Sequence, residues 1–179
     1  MASRVLHLLA CAAPPVLDLP DVVERAQADG WTVCAGLTPT AADWLADELP
    51  TLERKSGHPV RSMPRRVDEG EVWPPADAAM LAPATLNKVN TVALGLTPDF
   101  VTAYVTEAIG KRRPLVVMPC VNSAYATHPQ FDRSIETLRG VGVQVLYGEG
   151  GFRPHPPGQG DRRAYPWALA LDAARALVE

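Results

Sequence analysis

Short apolar runs alternate with helical segments along most of this chain, and that alternation restricts the fold more than any single residue does. RVLHLLA (4–10), WTVCAGL (31–37), DAAMLA (77–82), PLVVMP (114–119) and GVQVLYG (142–148) have the length and apolar density of buried strands. Between and after them, 17–30, 38–49, 85–96, 98–110, 128–140 and 167–179 read as helices. In 17–30, Leu19, Val22, Val23 and Ala26 recur at helical spacing and Gly30 marks the end. Segment 50–76 reads as irregular, rich in charge and proline, with room for one short strand near HPVRS (58–62). Strand and helix repeated this way predict an α/β fold: a mainly parallel, Rossmann-like (flavodoxin-like) sheet with helices on both faces, in a single domain over 1–179.

Several function classes drop out on composition. A net charge of −3 argues against nucleic acid as the main ligand, since phosphate binding needs a basic face. Three cysteines, Cys11, Cys34 and Cys120, lack disulfide-framework or zinc spacing and fit a reducing cytoplasm; no metal is expected. MASRVLHLLACAAPP has one arginine and a brief apolar stretch, which reads as a first strand, not a signal peptide. No apolar run approaches the roughly 20 residues of a membrane span.

In a parallel sheet the carboxyl ends of the strands share one edge, where such folds bind ligands. Four of those ends are unusual: ACAAPP, LTPTA, APATLN and PCVNSAY. The first two suit a phosphate, through free backbone N–H groups at a helix start and the hydroxyl of Thr38 or Thr40, or else are ordinary strand-to-helix turns with a threonine cap. There is no GxGxxG and no GxxxxGK[ST]. The other two ends put amides and hydroxyls beside an apolar floor, as a flat heteroaromatic ring requires.

PATLNKVN (83–90) resembles the PASANT motif, and PCVNSAY (119–125) with HPQF after it resembles the PxMNxxMW motif, of the FMN-binding cysteine decarboxylase family. That family includes the phosphopantothenoylcysteine decarboxylases and the lantibiotic decarboxylases, and the resemblance runs over roughly residues 4–148. It implies an FMN cofactor with its phosphate near Ala12, Ala13, Thr38 and Thr40. It also implies Pro83, Ala84, Thr85, Asn87 and Cys120 beside the flavin, and Asn122 at the carboxylate of a small-molecule or peptide substrate. Departures are Thr85-Leu86 for Ser-Ala, Cys120-Val121 at the variable residue and Met, Tyr125-Ala126 for Met-Trp, and Cys11-Ala12 for the Gly-Ser of the phosphate turn.

The family's active-site histidine falls about eight residues before Asp77, where this chain has Glu69; no histidine lies between 59 and 127. His58 and His128 read as structural. The expected catalytic set is therefore Asn122, Glu69 and Asn87, with Glu69 as a replacement acid/base. In the family's phosphopantothenoylcysteine branch a C-terminal loop cysteine reduces the intermediate; loop 149–166 has none, which by that resemblance argues for the oxidative branch or for another reaction, and it offers Arg153, His155, Arg162 and Arg163. Either it covers the substrate, with Arg153 and His155 joining Asn122 and Tyr125 on an anion, or it packs under the last helix.

The reading is oxidative decarboxylation of a peptidyl-cysteine-like substrate. Alternatives are an FMN-dependent oxidoreductase of another small metabolite or a non-catalytic flavoprotein subunit. The resemblance further implies a homo-oligomer, a trimer or dodecamer, with 98–110 and 50–76 as interface candidates unless the helix is core. Of the four tryptophans, Trp73 is the one placed to reach a ligand.

Overall fold

The computed structural model describes residues 4–179. Strand β1 (Arg4–Ala10) passes through a 3-10 turn (Pro14–Asp18) into α1 (Leu19–Ala28), and β2 (Trp31–Leu37) is followed by α2 (Pro39–Trp44) and α3 (Leu49–Ser56). After an irregular stretch, β3 (Ala78–Ala84) leads to α4 (Leu86–Ala93) and α5 (Phe100–Gly110), and β4 (Leu115–Pro119) to α6 (Ser123–Ala126) and α7 (Pro129–Gly140). The short β5 (Gln144–Val145), a strap ending in a 3-10 turn (Arg162–Ala164) and α8 (Trp167–Ala176) complete the order.

All five strands are parallel, in the order β2-β1-β3-β4-β5. Every residue of β3 is buried, so both faces of the central strand are covered, as an all-parallel sheet demands. Helix α5 packs on β2 and β3, α8 on β3 and β4, and α4 against α7. The core residues Leu6, Leu8, Met80, Leu81, Val116 and Val117 are fully buried. Each such side chain contributes on the order of 1.5–3 kcal/mol by leaving water.

The expected helix at 38–49 stops at Trp44, and a separate helix, α3, occupies Leu49–Ser56 where an irregular segment is expected. Pro50 sits in the first turn of α3, where no N–H has an intrahelical acceptor to lose, and Gly57 at φ 73° ends it. The strand near HPVRS is a single bridge, Arg61 to Gly36. Of the apolar run 142–148 only two residues pair as strand.

Candidate functional site

Backbone hydrogen bonds pin the strand tips to one another. Cys11 N–H donates to Pro83 O at 3.0 Å, Thr38 N–H to Ala10 O at 3.0 Å and Cys120 N–H to Ala84 O at 2.8 Å. Three of the tips then start helices with the same device, a side-chain oxygen accepting from the third residue on. Thr38 takes Ala41 N–H at 3.4 Å, Thr85 takes Lys88 N–H at 3.4 Å and Asn122 takes Tyr125 N–H at 3.0 Å. The polar residues at these strand ends are thus helix caps first.

A cap leaves part of the side chain over. Because Asn122 Oδ1 accepts from Tyr125, its Nδ2 carries both donors and has no partner among the described residues. A cleft of about 770 Å³, within the roughly 300–1,000 Å³ range of cofactor sites, opens over these tips. The structure brings Ala12, Ala13, Thr85, Cys120, Asn122, Tyr125, Arg153 and His155 to its walls. Ala12 and Ala13 present only methyl groups, and the Ala12 N–H has no acceptor among the described residues.

Other candidates stand outside the cleft wall. Thr38 is buried as a cap, Thr40 is exposed, and Pro83 and Ala84 are buried beneath the tips. Asn87 faces out and accepts from Thr91 Oγ1 at 3.3 Å. Asn90 is structural, accepting from Ser134 Oγ at 2.8 Å and so tying α4 to α7. Glu69 is exposed and accepts from Arg66 N–H at 3.0 Å. His58 is half-buried beside α3, and His128 caps α7, its Nδ1 accepting from Gln130 N–H at 3.1 Å.

The 149–166 segment forms the far wall as a strap tied down at several points. Tyr165 Oη donates to Met118 O at 2.7 Å, Ser123 N–H to His155 O at 2.9 Å, and Arg162 pairs with Asp18 at 3.4 Å. Gly151 lets the chain double back, since a Cβ there would stand 2.4 Å from the Leu146 carbonyl carbon. His155 Nδ1 lies 3.0 Å from Pro156 O, and a carbonyl only accepts, so Nδ1 is the donor in this contact. The ring rests on Gly160, where a Cβ would come within 2.4 Å of Nε2.

Burial pushes the Cys120 thiol up to about 11 and the Cys11 thiol up to about 12, so both stay neutral at this edge. Phe152 and Tyr165, which also line the cleft, escape the sequence reading; two aromatics inside a Gly- and Pro-rich run were the available signal. Among the described residues no group of three or more His, Cys, Asp or Glu could hold a metal ion, and no helix is long and apolar enough to cross a membrane.

The model of the family described as Flavoprotein matches residues 3–162. The coenzyme A biosynthesis bifunctional protein CoaBC of Thermococcus kodakarensis is 32% identical over 77 residues, 43% of this chain; the match spans 19% of that relative's length. Among solved structures, the FMN-dependent cysteine decarboxylase SpaF superposes with a TM-score of 0.71 at 22% identity, covering 97% of this chain and 98% of its own. The FMN-dependent cysteine decarboxylase TvaF, from thioviridamide biosynthesis, does so with a TM-score of 0.74 at 20% identity, covering 97% and 99%. At these identities the likeness is one of fold.

Proposed function

The chain belongs to the Flavoprotein family, and from that premise we propose that it binds FMN in the strand-tip cleft and oxidatively decarboxylates a peptidyl-cysteine-like substrate. The observation that carries the reading is one cleft that holds both a small-residue anion seat at Ala12–Ala13 and the unpaired amide of Asn122. The residues fit the cofactor. Methyl side chains let a phosphate approach the Ala12 N–H, the Thr85 hydroxyl keeps a hydrogen to donate, and Cys120 adds a neutral, polarisable wall. FMN held there supplies a two-electron acceptor.

The protein's own part is orientation and proton handling. Asn122 donates through Nδ2 to the substrate carboxylate, holding it without a positive charge that would oppose its loss as CO₂. Arg153, exposed at the rim, draws the anion in. Tyr125 flanks the entrance, and His155, at the cleft wall with Nδ1 turned to Pro156 O, takes the proton role in place of Glu69, which is exposed and does not line the cleft.

A homo-oligomer in the cytoplasm completes the proposal. Three free cysteines fit a reducing compartment, and exposed Trp44, Leu94 and Leu96 are apolar surface that assembly would bury. Helix α5, by contrast, turns Phe100, Val101, Val105 and Ala108 to the core.

The test is purified protein incubated with a cysteine-terminated peptide. A yellow protein that removes one CO₂ and two hydrogen atoms from the peptide, seen by mass spectrometry, is the expected result. Colourless protein that takes up no added FMN overturns the whole reading, and bound FMN without the mass loss overturns the decarboxylation alone.

A further inference from the structure

A second cleft, of about 490 Å³, opens between α5 and the 61–76 segment over the middle of β1, and it shares no lining residue with the strand-tip cleft. Its floor is aromatic. The His7 ring lies 4.9 Å from Trp73 and 5.4 Å from Tyr104, and Phe100 stands 5.8 Å from Trp73. Gly36 on β2 makes the room, since a Cβ there would come within 3.0 Å of Phe100 and 3.2 Å of Trp73.

Two hydrogen bonds fix His7 as part of the wall. Its Nε2 lies 2.9 Å from Pro74 O, which only accepts, so Nε2 is the donor; Nδ1 then accepts from the Tyr104 hydroxyl at 2.6 Å. The tyrosine oxygen keeps its lone pairs, and the ring faces stay apolar.

The mouth is basic. Of its four cations, Arg65 is paired with Glu71 and Lys111 with Glu107, which leaves Arg61 and Arg113 without a carboxylate among the described residues. Arg113 spends one nitrogen on Ala76 O at 2.8 Å. The Arg61 guanidinium lies 4.5 Å over Phe100 and 5.6 Å from the Trp73 centroid, and its nitrogens meet no acceptor among the described residues. A cation held over aromatic rings uses none of its N–H donors, so the Arg61 guanidinium keeps the donor pair that can receive a carboxylate through two bonds. In a chain of net charge −3, two guanidiniums at one mouth that no carboxylate among the described residues neutralises are a local reversal of sign.

We propose that this cleft is a second ligand site that takes a small aromatic carboxylate, its carboxylate on the Arg61 fork beside Arg113 and its ring against Trp73 and Tyr104. The site is independent of the strand-tip reading. The probes are benzoate, benzamide with the same ring but no charge, and acetate with the charge but no ring, titrated calorimetrically into the FMN-loaded full chain.

Benzoate is expected to saturate one site per chain, with benzamide and acetate weaker by about tenfold or more. Arg61→Gln is expected to weaken benzoate by a similar factor while the flavin absorbance and melting temperature hold, and Arg61→Lys to recover only part of the loss. The indole N–H of Trp73, which donates to Pro59 O at 2.9 Å, gives an NMR resonance that must shift with benzoate; it reads the site even if an Arg61 variant folds poorly. The proposal is overturned if benzoate does not bind, if it binds Arg61→Gln as well as the unaltered chain, if benzamide or acetate matches it, or if it displaces FMN.

Discussion

The two clefts draw on the same strand but are built by opposite means. At the tip of β1 the wall is backbone and small side chains, Ala12 and Ala13, with polar groups that double as helix caps. At the middle of β1 the wall is large side chains, Trp73, Phe100 and Tyr104 around His7, brought together from an irregular segment and a helix face. The first kind of site is a by-product of strand–helix topology, so it is placed by the fold itself. The second depends on individual packing contacts, so it is expected to be lost with single substitutions that leave the sheet standing.

Asn122→Asp probes the first cleft most sharply. Aspartate caps a helix as well as asparagine, so the bond from Tyr125 N–H survives and stability is expected to change by less than about 0.5 kcal/mol. The same change replaces two donors with a negative charge facing the substrate carboxylate. Peptide decarboxylation is expected to fall by about 100-fold or more, on the order of 3 kcal/mol, measured as kcat/KM. Activity held at the level of the unaltered chain, with the cap kept, would show that the amide acts only as a cap.

His7 makes the second cleft sensitive to acid. Burial lowers its pKa from 6.5 to about 4, against the opposing bond to Pro74 O. Between those values the unfolded chain binds a proton that the folded chain refuses, so stability is complete above pH 6.5 and declines as pH falls toward 4. The loss is up to about 3 kcal/mol. Urea unfolding across that window should show the slope, and His7→Gln should flatten it; an unchanged slope in the variant would assign the effect to other groups.

This contrast also decides what was legible in the chain. The strands and their tips could be read because buried parallel strands are continuous apolar runs, and Thr38 and Thr85 stand at the helix starts that follow, whereas the four-residue α6 capped by Asn122 is too short to show a period. His7 lies inside RVLHLLA, where it cannot be told from a neutral core residue until Tyr104 and Pro74 are seen beside it. Arg61 and Trp73 sit in a stretch with no periodicity, and only folding sets one on the other. Helix α3 was hidden for a different reason: eight residues with a proline in the first turn and charges at Glu53, Arg54 and Lys55 carry too short an apolar stripe to register.

Gly36→Ala turns that dependence on packing into a number. The new methyl would stand 2.5 Å from Leu9 Cδ1 as well as close to Phe100 and Trp73, and overpacking of this kind costs about 1–3 kcal/mol. Thermal melting should register the loss, and the Trp73 indole resonance should move. FMN uptake should persist, because Gly36 lies outside the strand-tip cleft. Loss of FMN together with the aromatic cluster would mean the two clefts are mechanically one.

The smallest expected effect separates two residues that are chemically alike. Thr38 and Thr85 each follow a strand, each adopt extended backbone, and each accept one helix N–H at 3.4 Å. Changing either to alanine should cost about 1 kcal/mol of stability by losing the cap. Thr85 lines the cleft and Thr38 does not, so Thr85→Ala should also weaken FMN by about fivefold, the worth of one neutral hydrogen bond, while Thr38→Ala leaves it unchanged. Fluorescence titration of the apoprotein with FMN measures both. If Thr38→Ala weakens FMN as much as Thr85→Ala does, the phosphate seat extends across β1 to the second turn, and the tip of β2 joins the site.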